Sequence, residues 1–135
     1  MESSKVRMKQ LPRQREGSIP RRLIEERGEM AILHPHGPVF NPVYFDLRPG
    51  NGFFRGGHYH HTKTENFYII EGTCLMHLVD IDTGERDTLE LHPGDFITIS
   101  PRCAHRLDAV DFCRIVEFSL EEVEYSRDTV PFDFR

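Results

Sequence analysis

From about residue 29 onward the chain alternates short apolar stretches with clusters of turn-forming residues. The stretches are "EMAILH", "VYFDL", "FFRGGHYHH", "NFYIIEG", "CLMHLVDI", "DTLEL", "DFITIS", "HRLDAV" and "CRIVEFSL", each of strand length. Between them stand "HPHGP" at 34–38, "RPGNG" at 48–52, "DTG" at 82–84 and "HPGD" at 92–95, whose Gly, Pro, Asn and Asp favour chain reversal. Many short strands punctuated in this way predict an all-β antiparallel sandwich or barrel. Within it, "VDIDTGERDTLEL" predicts a hairpin with Thr83 and Gly84 at its tip. Residues 1–17 are polar and aperiodic, as expected of an arm that is partly flexible or packs against a neighbouring subunit. "SIPRRLIEERG" predicts a short helix or turn, with Ser18 as cap, Pro20 in the first turn and Gly28 as stop. The closing "EEVEYSRDTVPFDFR" is acidic and then aromatic, with Phe132 and Phe134 spaced as on one strand face. The expected division is an arm over 1–29, a barrel over 30–120 and a tail or edge strand over 121–135, with one core for the whole chain.

The densest chemistry lies in "RGGHYHHTKTENFYIIEG" at 55–72, which packs three of the eight histidines into four positions. Residues two apart on a strand point the same way, so His58 and His60 share one face while Tyr59 and His61 share the other. A metal needs several donors converging on a point, and two imidazoles at i and i+2 supply two of them. Glu65 can return on the next segment with a carboxylate oxygen, and a fourth donor must come from elsewhere.

Composition narrows the function classes. The net charge of −5 hides an asymmetry: residues 1–30 hold eight Lys or Arg against five acids, and the remainder holds nine against seventeen. An acidic body lacks the concentrated basic face that phosphate backbones require, so nucleic acid is not an expected partner. No apolar run approaches the roughly 18–20 residues that cross a bilayer, and no signal-peptide pattern opens the chain. A cytoplasmic location and no membrane partner are the expectations. Cys74, Cys103 and Cys113 are odd in number and lack CxxC spacing, which predicts buried free thiols rather than a disulfide framework.

On its motifs the chain resembles the cupins. Gly52, His58, His60, Glu65 and Gly72 fit every interval of that family's first motif. Gly94, Pro101 and His105 supply the frame of the second, although Ser100 and Arg102 stand where a proline and a glycine are usual and the later asparagine is missing. The resemblance implies a double-stranded antiparallel β-helix, or jelly-roll barrel, with a short N-terminal arm or helix. It further implies one divalent transition metal held by His58, His60, Glu65 and His105. Three imidazoles and a carboxylate suit Zn, Fe, Mn, Ni, Co or Cu.

"RGGHYH" also resembles the Arg-Gly-x-His motif of the nucleotide-linked deoxysugar 3,5-epimerases and 3,4-ketoisomerases, which are cupin barrels. "EERGEMAIL" at 25–33 is similar to their opening, and "GGHYHHTKTENF" is similar to the C-terminal cupin domain of capsular-polysaccharide nucleotide-sugar reductases. That likeness implies His58 as a general base beside a sugar ketone and Arg55 as the contact for the anionic nucleotide. The two roles of His58 compete, because a metal-bound imidazole has no lone pair left for a proton. If His58 is a ligand, Tyr68, His77 and Glu117 are the candidate bases. The implied function is that of a metal-binding isomerase or epimerase of an activated sugar. The alternatives are an Fe(II) dioxygenase using the same four residues and a non-catalytic small-ligand binder. A homodimer is the expected assembly, since pairing covers sheet edges and exposed aromatics.

Plainer readings stand beside these. Glu117 can be an outward charge on a half-exposed strand. His61 is set aside by parity, Lys63 reads as a solvated turn residue, and His34, His36 and His92 read as loop groups beside prolines. Phe45, Phe53, Phe54, Phe67, Ile69, Phe96 and Phe118 read as barrel core or pocket mouth, and Cys103 as a small buried filler.

Overall fold

The computed structural model describes residues 3–34 and 37–135; of the residues considered above, His36 lies outside them. Two five-stranded antiparallel sheets face each other. The strands are β1 (Val6–Gln10), β2 (Arg21–Glu25), β3 (Gly28–Ile32), β4 (Phe40–Leu47), β5 (Arg55–His60), β6 (Glu65–Glu71), β7 (Cys74–Asp80), β8 (Arg86–Leu91), β9 (Asp95–Ile99), β10 (Cys103–Ala109), β11 (Cys113–Ser119) and β12 (Thr129–Pro131), with the single turn α1 (Tyr125–Asp128) before β12. One sheet runs β1-β9-β6-β11-β4 and the other β12-β5-β10-β7-β8. This is the expected jelly-roll barrel, and the hairpin around Thr83 and Gly84 joins β7 to β8 as predicted.

Alternation along the strands builds the core. Phe67 and Ile69, Cys74, Met76 and Leu78, Ile97 and Ile99, Cys103 and Leu107, and Cys113 and Ile115 all point between the sheets and are essentially inaccessible. Each such aliphatic side chain contributes roughly 1.5–3 kcal/mol by leaving water. Their neighbours Tyr68, Phe96 and Phe118 point to the opposite side of the first sheet, where with Leu11 they form a second cluster beneath Ala31 and Leu33.

Three expectations need correction. The segment around residues 18–28 forms no helix: β2 and β3 pair as a hairpin. Arg22 is buried there, its Nε 2.9 Å from Glu29 Oε1, and Gly28 adopts φ +133° just past the turn. A cross-strand ion pair and a positive φ both favour extended pairing over a helix. The N-terminal arm, read as polar and aperiodic, contains a strand, because β1 pairs with β9 over five residues. Phe53 and Phe54 are nearly half exposed rather than core, since they lie in the loop entering β5 outside either sheet interior.

Candidate functional site

The second sheet brings His58, His60 and His105 together, because β5 and β10 are neighbours with His58 opposite His105. Glu65 opens β6 in the facing sheet, so the two sheets contribute donors to one point. The imidazole centroids are 4.8 Å apart for His58 and His60, 5.0 Å for His58 and His105, and 5.7 Å for His60 and His105. One donor atom from each of the four residues lies within 4.8 Å of the others. Backbone geometry helps this approach. Gly56, with φ +82°, sits at a bulge in the β5–β10 ladder, where an added Cβ would lie 2.7 Å from the His105 carbonyl oxygen.

The rings are held by their outer nitrogens. His105 Nδ1 donates to the Cys103 carbonyl at 3.1 Å, and His60 Nδ1 lies 3.2 Å from Thr129 Oγ1. Both Nε2 atoms face inward, and the donation to a carbonyl leaves the lone pair of His105 Nε2 free. His60 Nε2, His105 Nε2 and Glu65 Oε2 are buried without a hydrogen-bond partner. His60 Nε2 abuts Glu65 Oε1 without hydrogen-bond geometry, and His105 Nε2 is 3.6 Å from Glu65 Oε2. Buried polar atoms are seldom left unmet, and a shared cation would satisfy all three at once, so the donor set fits a transition metal.

Electrostatics sets the same protonation states that coordination needs. Burial, reinforced by His105 and His60, pulls the His58 imidazole down to about 4, and burial likewise lowers His105. Burial alone would raise Glu65, but His105 and His60 hold it below the usual carboxylate range. Glu117 goes the other way: burial and the Glu65 charge beside it push its carboxyl up to about 9.

His58, Glu65, His105 and Glu117 floor a cavity of about 180 Å³ between β4, β5, β6, β10 and β11, which Lys63, Arg55, Phe45 and Tyr125 also line. Hollows of about 390 Å³ lie on the outer faces of both sheets, but neither gathers the histidines. Glu117 therefore faces inward, against its plainer reading. The signal was in the sequence, since Cys113, Ile115 and Glu117 share one strand face. Lys63 is buried rather than solvated, with Nζ 3.7 Å from Glu65 Oε1. Arg55 stands at the mouth, its Nε and Nη2 donating to the Asp46 carbonyl and its guanidinium 5.7 Å from the Phe45 ring centre.

Two candidate bases are placed elsewhere. Tyr68 projects from the opposite side of β6, where its hydroxyl donates to Glu29. His77 lies on the outer face of β7, its Nε2 2.8 Å from Asp108 and its Nδ1 3.0 Å from Thr88 Oγ1. Tyr125, Asp128 and Thr129 were not anticipated. They approach the cluster only through the fold of the C-terminal segment, which no spacing reveals.

Comparison with known proteins agrees with this architecture. The family profile described as the polysaccharide biosynthesis C-terminal domain matches residues 41–128, well over half the chain. No curated protein matches the sequence. Among solved structures, dTDP-4-dehydrorhamnose 3,5-epimerase from Sulfolobus tokodaii is similar with a TM-score of 0.77 at 16% identity, over 99% of this chain and 80% of that one. QdtA, a sugar 3,4-ketoisomerase from Thermoanaerobacterium thermosaccharolyticum in complex with TDP, gives 0.72 at 14% identity, over 94% and 88%. CapF, in complex with the inhibitor 3-isopropenyl-tropolone, gives 0.63 at 16% identity, over 83% of this chain and 33% of that one. At these identities the likeness carries the cupin fold.

Proposed function

Because the chain belongs to the polysaccharide biosynthesis C-terminal domain family, we propose that it holds one divalent transition metal and isomerises or epimerises an activated, nucleotide-linked sugar. The supporting observation is the convergence of His58, His60, Glu65 and His105, three of whose inward atoms have no other partner. A metal bound there supplies a Lewis acid beside a substrate carbonyl. With His58 as a ligand, its lone pair is occupied, and Glu117 is the carboxyl in the cavity placed to move a proton next to that carbonyl.

The cavity of about 180 Å³ is smaller than the roughly 300–1,000 Å³ that encloses a whole ligand. Only the sugar ring enters, and the nucleotide runs outward past Arg55, whose guanidinium meets its phosphates. The sugar-nucleotide substrates named for the Sulfolobus epimerase and the TDP bound to QdtA support that class of substrate.

The test combines metal analysis with deuterium wash-in. Protein purified with its metal is expected to carry one ion per chain and to exchange solvent deuterium into a keto-sugar nucleotide. His58→Ala and His105→Ala should each lose most of the metal and slow the exchange at least ~100-fold. Tyr68→Phe, away from the cavity, should stay within about threefold. Full metal retention by both histidine variants would refute the coordination. Oxygen uptake on adding substrate, without exchange, would replace the isomerase with the dioxygenase.

A further inference from the structure

The chain between His60 and Glu65 crosses from one sheet to the other, so residues 61–64 belong to neither ladder. Backbone amides in such a crossing need acceptors from somewhere. All four find them in one distant segment. The His61 amide donates to the Asp128 carbonyl at 2.9 Å. The Thr62 and Lys63 amides donate to Asp128 Oδ1 and Oδ2 at 2.8 and 3.0 Å, and the Thr64 amide donates to Glu121 Oε2 at 3.2 Å. Asp128 is buried, so this carboxylate is committed to the turn rather than to solvent. The next residue, Thr129, pairs with His60 across β12 and β5 and meets its Nδ1 at 3.2 Å.

We propose that the segment from Glu121 to Thr129 positions the metal centre. Asp128 fixes the turn that sets His60 and Glu65 relative to each other, and Thr129 fixes the ring and tautomer of His60. This rests on the metal-binding function proposed above. When His60 offers Nε2 to the metal, its proton sits on Nδ1 and is donated to Thr129 Oγ1. Loss of that acceptor frees the ring to rotate and lowers its basicity. Partners of this kind are typically worth about 10–100-fold in metal affinity. Asp128 and Thr129 are thus positioning residues: they act on the ligands and not on the substrate.

The experiment titrates metal-free protein with Zn²⁺ against a competing chelator and with Co²⁺ by its visible absorption. Thr129→Val keeps the shape and removes the acceptor. It should bind Zn²⁺ about 10-fold more weakly, with an altered Co²⁺ spectrum and a metal-free melting temperature within about 2 °C of wild type. Thr129→Ser should restore both affinity and spectrum. Asp128→Asn, which replaces one acceptor oxygen by a donor facing an amide, should weaken binding by about 10–100-fold. Wild-type affinity and spectrum in both Thr129→Val and Asp128→Asn would overturn the positioning role while leaving the metal site standing. Failure of the wild type itself to bind either ion would overturn the metal site and this role together. If Asp128→Asn does not fold, the Thr129 pair decides alone.

Discussion

Glu117 and His58 pull the metal-free protein in opposite directions as pH changes. The Glu117 carboxyl is raised in the folded state to about 9 from an ordinary value of 4.5. Its contribution is fully present below 4.5 and is lost as pH rises toward 9. The His58 imidazole is lowered to about 4 from 6.5, so the native state binds fewer protons and stability falls as pH drops from 6.5 to 4. Glu117→Gln, which cannot ionise, is therefore expected to stabilise the metal-free protein at pH 8 by more than about 1 kcal/mol and to make little difference at pH 4. Denaturant unfolding at the two pH values checks this, and equal effects at both would show that Glu117 is not held protonated. His58 and His60 were legible as a pair from period-two alternation, with Glu65 within reach on the next segment, whereas His105 was reached only through the resemblance to the cupins, because nothing local ties it to the other three. Glu117 was open to the same parity argument. Tyr68 was not separable from the pocket candidates until the core face of β6 was known, since Phe67 and Ile69 could have pointed either way.

At the level of elements, the bulge where β5 meets β10 is the feature most exposed to a single change. Gly56→Ala forces a Cβ into the left-handed region, at about 1–2 kcal/mol, and toward the His105 carbonyl at 2.7 Å. The variant should melt lower and lose metal occupancy together, because the contact displaces the strand that carries His105. A lower melting temperature with full metal content would separate the bulge from the site. The strands β3–β11 and the β7–β8 hairpin were readable because turn formers and alternation recur so regularly, whereas β1, β2 and β12 were not listed as strands and the jelly roll came from the resemblance to the cupins. The β2–β3 hairpin was misread because "SIPRRLIEERG" carries helix stop and start residues. What decides its structure is the Arg22–Glu29–Tyr68 contact, made with a strand some 40 residues away and invisible to local pattern. Arg102 shows the reverse case: it occupies the usual glycine position with φ +63°, so the turn survives the missing glycine, with the guanidinium 2.9 Å from Asp82.

Across the whole molecule, donors from both sheets meet at one point, so the metal proposed for this site would tie the halves of the sandwich together. Ligands that bind only the native state stabilise it by about 2.7 kcal/mol at a hundredfold excess over Kd. Supplying metal should therefore raise the melting temperature by on the order of 5–10 °C, and chelator should reverse the gain. His58→Ala should show neither effect, and a wild type whose melting ignores both additions would not be using the ion as a tie. Among the described residues no helix is long and apolar enough to cross a membrane. The bonds from Glu121 and Asp128 to the amides of residues 61–64 have a last consequence for how the molecule opens. Because those amides lie outside both ladders, the segment can lift away as a local unfolding unit, at a free energy below that of global unfolding.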